Sequence, residues 1–205
     1  RTEMLAGVSH DLRTPLTRMK LQLAMLAESK GIEDLKEDLR EMEIMVEEFL
    51  AFARGEGTEE PTESDLGEIV MTIVRSTSTP DHQIKATIEG DLNMLIRPHA
   101  IRRCITNLVV NAITHAKMVK INAVRRGGLV EISVDDDGPG IPEVQRESAA
   151  KPFVRLEAAR GQNQGSGVGL GLAIAADVAR LHGGQLVLGD SVKLGGLSAQ
   201  IRLPL

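Results

Sequence analysis

The octet Ser9-His10-Asp11-Leu12-Arg13-Thr14-Pro15-Leu16 carries the first residues able to do chemistry. Apolar residues recur around it at Leu5, Val8, Leu12, Leu16, Met19, Leu23 and Leu26. Spacings of three and four describe one buried stripe on an α-helix. His10 lies off that stripe, so its imidazole faces water beside the Asp11 carboxylate. Pro15 has no N–H, so the Asp11 carbonyl loses its helical partner and the turn loosens there. A water-facing imidazole with a carboxylate for its proton is equipped to act as a nucleophile.

Three further stretches invite a ligand. Arg103, Asn107, Asn111 and His115 lie four apart and share one side of a helix, with Ile101, Ile105, Leu108 and Ile113 mainly on the other. Asparagine is a poor helix former, so two at this spacing point to a use. Its amide oxygen is a hard, neutral ligand suited to Mg²⁺, which also takes phosphate oxygens. Asp135-Asp136-Asp137-Gly138-Pro139-Gly140-Ile141-Pro142 follows a strand pattern. Its glycines permit a tight turn, and a carboxylate fixed there can accept from an exocyclic amine such as that of adenine. Gly165-Ser166-Gly167-Val168-Gly169-Leu170-Gly171-Leu172 runs into a helix, where backbone N–H groups make an anion site. No Gly-Lys-Ser/Thr follows, and Leu170 or Leu172 stands where a dinucleotide fold needs its third glycine, so neither common phosphate loop is present.

Composition bounds what can position these residues. The 205 residues suffice for one domain or two small ones. With three Phe and no Trp or Tyr, the core must be aliphatic. A net charge of −5 without any Lys/Arg block lacks the footprint of a nucleic-acid binder. Cys104 is the single cysteine, so no intrachain disulfide forms and an oxidising compartment is not indicated. The longest weakly polar run, 165–176, is too short and glycine-rich to span a bilayer, and no signal peptide is evident. The chain opens on Arg1 inside a helical pattern. A soluble piece cut from a longer protein, without direct membrane contact, is expected.

The elements follow from periodicity. Residues 1–54 read as two helices joined by a stop at Ser29-Lys30-Gly31, the second striped by Ile32, Leu35, Leu39, Met42, Val46, Phe49 and Phe52. So short a connection makes an antiparallel hairpin, which buries both stripes by pairing with a second copy as a four-helix bundle. Residues 55–64, polar and acidic with two Gly and a Pro, read as a mobile linker. Residues 65–205 read as a second domain: a short helix from Leu66 capped by Ser64 or Asp65, strands at 83–89 and 92–97, and a helix over 98–116. A hairpin at 118–124 and 129–134 follows, then a helix over 168–181 and strands at 185–188 and 197–203. Segregated helices and mostly antiparallel strands predict an α+β sandwich, helices on one face of a mixed sheet.

In this order, the motifs resemble the catalytic core of bacterial sensor histidine kinases over essentially the whole chain. Ser9 to Pro15 is similar to the H box, Asn107-Leu108-Val109-Val110-Asn111-Ala112 to the N box and Asp136-Asp137-Gly138-Pro139-Gly140 to the G1 box. Pro152-Phe153-Val154-Arg155 is similar to the F box, Gly167-Val168-Gly169-Leu170-Gly171-Leu172 to the G2 box, and His182-Gly183-Gly184 to the segment beyond. The His-Asp-Leu-Arg-Thr-Pro form is similar to the EnvZ-like osmosensor subfamily. The resemblance implies a dimerising phosphoacceptor hairpin and a Bergerat-type ATP-binding domain, in a cytoplasmic fragment of a parent anchored in the inner membrane. It implies autophosphorylation of His10 from ATP and transfer to an aspartate of a response regulator. It would give Asn111 the Mg²⁺, with Asn107 assisting, and Asp136 the adenine amine, with Gly138 and Gly140 shaping that pocket. Gly167, Gly169 and Gly171 would cradle phosphates. A lid would span about 144–166, anchored by Phe153, with Arg155 and Arg160 able to lend it charge. Asp11 would take the imidazole proton, and Thr14, on the side of His10, would position water to dephosphorylate the regulator. Thr114 and His115 replace the basic residue and Tyr usual after the N box, which implies modest ATP affinity; Lys151 stands where an acid or amide is common. Chaperones, mismatch-repair proteins and topoisomerases share the pocket without the hairpin. A catalytically silent dimeric scaffold that binds ATP and a regulator is the alternative.

Overall fold

The computed structural model describes residues 14–26, 31–36, 39–40, 42–43, 46, 59–79, 83–154 and 169–205. The chain divides into two compact units, one of Arg1–Glu56 with Ser166–Val168, the other of Gly57–Gly165 and Gly169–Leu205. In the first, residues 14–24 form helix α1, and residues 31–36, 39–40, 42–43 and 46 are helical and belong to α2. Lys20 Nζ donates to both Glu43 carboxylate oxygens at 3.1 and 2.8 Å, bridging the two helices. Leu16 and Leu39 are buried, while Met19, Leu21, Met25, Leu26, Leu35 and Met42 are exposed.

The second unit is built in two layers. Its strands are β1 (Thr62–Asp65), β2 (Gln83–Glu89), β3 (Asn93–Ile96), β4 (Met118–Arg126), β5 (Leu129–Asp136), β6 (Gln185–Asp190) and β7 (Leu197–Pro204). Its helices are α3 (Leu66–Thr77), α4 (Pro98–His115), α5 (Glu143–Ala149) and α6 (Gly171–Leu181). A five-stranded sheet runs β2-β4-β5-β7-β6, and β1 pairs with β3 in a separate ribbon. Among the described strands only β2 and β4 run parallel; the other pairs are antiparallel, so the sheet is mixed as expected.

The period of two along a strand sorts the sheet's faces. Val119, Ile121 and Ala123 of β4, Val130, Ile132 and Val134 of β5, and Ala199, Ile201 and Leu203 of β7 are buried. They meet an aliphatic helix layer that includes Ile69 and Ile73 of α3, Ile101, Ile105 and Leu108 of α4, and Ile174 and Val178 of α6, all buried. The alternate residues carry a polar network: Ser133 Oγ donates to Asp135 Oδ2 at 2.9 Å, and Asn122 Nδ2 to both. Asp65 is the residue that caps α3, its Oδ1 accepting from Gly67 N at 2.8 Å and Glu68 N at 3.4 Å.

Two segments differ from the periodicity reading. Thr62 to Asp65 lack an apolar pattern, yet their backbone pairs with Asn93 to Ile96, so the end of the linker stretch is strand. The start of the expected lid is helical: α5 covers Glu143–Ala149, too short for an apolar period to register. Among the described residues no helix is long and apolar enough to cross a membrane.

Candidate functional site

Three consecutive carboxylates after β5 take three different places. Alternation turns Asp136 inward with Val130, Ile132 and Val134, and it is 3% exposed. Its Oδ1 accepts from Gly138 N at 2.9 Å and Leu197 N at 3.0 Å. No donor among the described residues reaches its Oδ2, which leaves that oxygen for a ligand. Asp137 turns away and takes Lys117 N and Met118 N, both at 2.8 Å, so it closes the loop from α4 into β4. Asp135 belongs to the polar network on the other face. Burial pushes the Asp136 carboxyl above the usual carboxylate range; bonds from Leu197 and Gly138 pull it back, Asp137 pushes it up and His115 pulls it down, and burial wins.

The turn presses against the end of α4. A Cβ at Gly138 would sit 2.8 Å from the His115 carbonyl, and Gly140 has φ +69°. Along α4, Asn107 and Asn111 are half-buried and His115 is exposed. The Asn107 Nδ2 is buried with no hydrogen-bond partner among the described residues, which is costly unless something else fills the role. Asn107 stands beside the start of α6: a Cβ at Gly171 would be 3.8 Å from its Cβ.

Helix α6 begins at Gly171 with no side-chain cap among the described residues, which leaves its first N–H groups to an anion. Gly169, just before it, has φ +75°, and a Cβ there would lie 2.7 Å from the Val154 carbonyl. The close approach joins the two ends of the segment 154–169: Phe153 N donates to Gly169 O at 3.0 Å, with Phe153 itself at φ 64° and exposed. Leu170 is wholly buried, so a ligand meets only its backbone; Leu172 is half-buried. His182 ties the far ends of the two helices. Its Nε2 accepts Arg97 N at 3.0 Å and its Nδ1 lies 2.8 Å from Val178 O, an arrangement that takes the neutral ring protonated on Nδ1.

The structure thus brings Asn107, Asn111, Asp136, Gly138, Gly140, Gly169 and Gly171 into one module. Thr14 is exposed on α1 in the other unit, and His10, Asp11, Arg155 and Gly167 lie outside the described residues. Sequence reasoning missed Gly196 and Leu197. Leu197 N holds Asp136, and Gly196 N donates to the Asp136 carbonyl at 3.0 Å. The paired glycines at 195 and 196 were the available signal, 60 positions from the carboxylate in sequence.

The chemistry of these groups suits an adenine nucleotide: a carboxylate oxygen without a donor, an orphaned amide N–H and an uncapped helix start all belong to the helix side of one sheet. Among the described residues no group of three or more His, Cys, Asp or Glu is placed to hold a metal ion. The fold and site define an ATP-binding module. The histidine kinase-, DNA gyrase B-, and HSP90-like ATPase family matches residues 96–205, and the His Kinase A (phospho-acceptor) domain matches residues 1–58. The chain belongs to that ATPase family, with the phosphoacceptor domain ahead of it: the catalytic core of the sensor histidine kinase type. It is 32% identical to the sensor histidine kinase GtrS of Pseudomonas aeruginosa over 100% of this chain and 42% of that protein. It is 34% identical to the histidine kinase domain of the Escherichia coli osmosensor EnvZ, covering 72% of this chain and 91% of that one, with a TM-score of 0.55. The ATP-binding domain of PrrB from Mycobacterium tuberculosis is 28% identical over 70% of this chain and 96% of that one, TM-score 0.59. The chain spans a little under half the length of the curated relatives it matches.

Proposed function

We propose that this chain is the core of a two-component sensor kinase: it phosphorylates His10 from ATP and passes the phosphoryl group to an aspartate of a response regulator. The observation that carries the reading is the coexistence of a phosphoacceptor domain holding His10 with an ATP module whose inward Asp136 and orphaned Asn107 amide await a ligand. Asp136 accepts from the adenine amine through Oδ2. Asn107 and the open N–H groups of α6 face the phosphates, with Gly167, Gly169 and Gly171 letting the backbone come close. The Asn111 amide oxygen would hold Mg²⁺, which would supply charge neutralisation at the phosphates. An imidazole nitrogen of His10 attacks the γ-phosphorus; the N–P bond forms as the P–O bond to ADP breaks, and Asp11 takes the proton from the other ring nitrogen. The exposed apolar side chains of α1 and α2 support a homodimer, in which a second hairpin covers them as a four-helix bundle.

Incubation with γ-labelled ATP and Mg²⁺ tests this. The expected result is an acid-labile, alkali-stable label that His10→Gln abolishes. Bound ATP with no label would establish the silent scaffold instead. Mixed His10→Gln and Asn111→Asp subunits would tell cis from trans transfer. Thr14, exposed on α1, would position water at a phosphorylated regulator. Thr14→Ala is expected to slow regulator dephosphorylation about tenfold or more while self-labelling stays within about twofold. Equal dephosphorylation by parent and variant would remove this role.

A further inference from the structure

Helix α4 has no N-cap of its own. Its N-cap residue is Arg97, whose side chain makes no cap bond. The carboxylate of Glu59 serves instead: Oε1 accepts His99 N at 2.8 Å and Oε2 accepts Ala100 N at 3.0 Å. Arg97 Nε donates back to the Glu59 carbonyl at 2.7 Å. Three bonds therefore clasp Glu59 to the start of the helix that carries Asn107 and Asn111. The donor groups belong to a helix start, where a carboxylate is favoured twice, by the open N–H groups and by the helix dipole.

The position of Glu59 in the chain is what makes the clasp more than a cap. The phosphoacceptor match ends at residue 58 and the ATPase match begins at 96, so Glu59 lies on the segment that joins the two. The next anchored backbone is Thr62, which pairs with Ile96. An aspartate or serine at position 97 would cap α4 without involving that segment at all.

We infer that Glu59 is a positioning residue for phosphoryl transfer: its clasp on α4 sets where, and in which direction, the joining segment leaves the ATP module. The inference rests on the kinase reading above. Without the clasp the anchor retreats to Thr62, and the three residues released add about 10 Å of reach at roughly 3.4 Å each. A longer, less directed tether lowers the effective concentration of the nucleotide at the imidazole and widens the range of its approach angles. The nucleotide pocket is spared, because losing a cap frays a first turn and Asn107 lies about two turns beyond His99.

The experiment uses the whole chain. Glu59→Ala removes the two carboxylate bonds and leaves only the Arg97 bond to the residue's carbonyl. It is expected to hold ATP affinity within about twofold of the parent while the initial rate of His10 labelling at saturating ATP falls about three- to tenfold. Glu59→Gln, which keeps one acceptor, falls between. Glu59→Ala combined with Arg97→Asp gives α4 its own cap; it is expected to regain the parent's melting temperature and not its labelling rate. Amide exchange at His99 and Ala100 speeds up in Glu59→Ala, a readout that needs no catalysis. Labelling by Glu59→Ala at the parent's rate, full recovery of rate in the double variant, or unchanged exchange at those two amides each overturns the inference. A parent that binds ATP and never labels His10 overturns the kinase reading itself.

Discussion

Gly196→Ala is expected to weaken nucleotide binding about a hundredfold or more. The backbone at 196 is in an ordinary conformation, so the alanine loses nothing in φ. The obstacle is space: an added Cβ would press into Asp136 Oδ1 and sit 2.5 Å from both the Asp136 carbonyl oxygen and Gly138 N. None of these atoms is the far end of a flexible side chain, so either the acidic turn or the β6–β7 connection must move. Overpacking of this kind costs about 3 kcal/mol at the upper end of its usual range. Moving the turn also breaks the Leu197 and Gly196 bonds that hold Asp136. A loss of ATP affinity of about a hundredfold or more follows at 1.4 kcal/mol per tenfold, with the melting temperature down by roughly 10 °C. Titration with a fluorescent ATP analogue and a melting curve check both. Retained affinity would mean that Asp136 does not receive the adenine.

Asp136→Asn is expected to separate binding from stability. The substitution keeps an oxygen for Gly138 N and Leu197 N but places an amide N–H₂ where the carboxylate offers its free oxygen. A donor then faces the donor of the adenine amine, and ATP affinity falls about ten- to a hundredfold, the size of a charge-assisted bond plus an unmatched polar group. Stability does not fall with it, because the variant no longer buries a charge. The parent's pH dependence has a definite sign. Burial raises the folded-state value of Asp136 above that of the unfolded chain, so the folded protein holds the proton more tightly. This group's contribution to stability therefore grows as pH falls through the raised value and is lost as pH rises through it. ATP affinity runs the other way, weakening as pH falls through that value and the acceptor is protonated. Kd measured across that range should show a proton-linked slope in the parent that Asp136→Asn lacks.

Much of the ATP module was legible because its signals are local. The four-residue spacing of Asn107, Asn111 and His115 needs only the helix to place them together, and the strand alternation ending at Val134 already turns Asp136 to the core. Segment bounds agree to within a few residues for the same reason. The segments that escaped are held by distant partners. β1 carries no apolar period because its order comes from pairing with β3, and Glu59 reads as one acid among several in an acidic stretch until α4 offers it two N–H groups. The supports of Asp136 at Gly196 and Leu197 were invisible because they arrive from the last hairpin of the sheet.

By itself the sequence determined which residue types recur at which spacing: a helix with two asparagines, a carboxylate between a strand and a glycine turn, glycines ahead of a helix, and a histidine beside an aspartate. Those follow from the two backbone periods and need no partner. Tertiary structure alone decided which of three neighbouring aspartates enters the core, which amide is left without a bond, and which glycine must lack a side chain. Each of those is a question of what lies across the gap, and the sheet and helix layers close that gap between residues far apart in the chain.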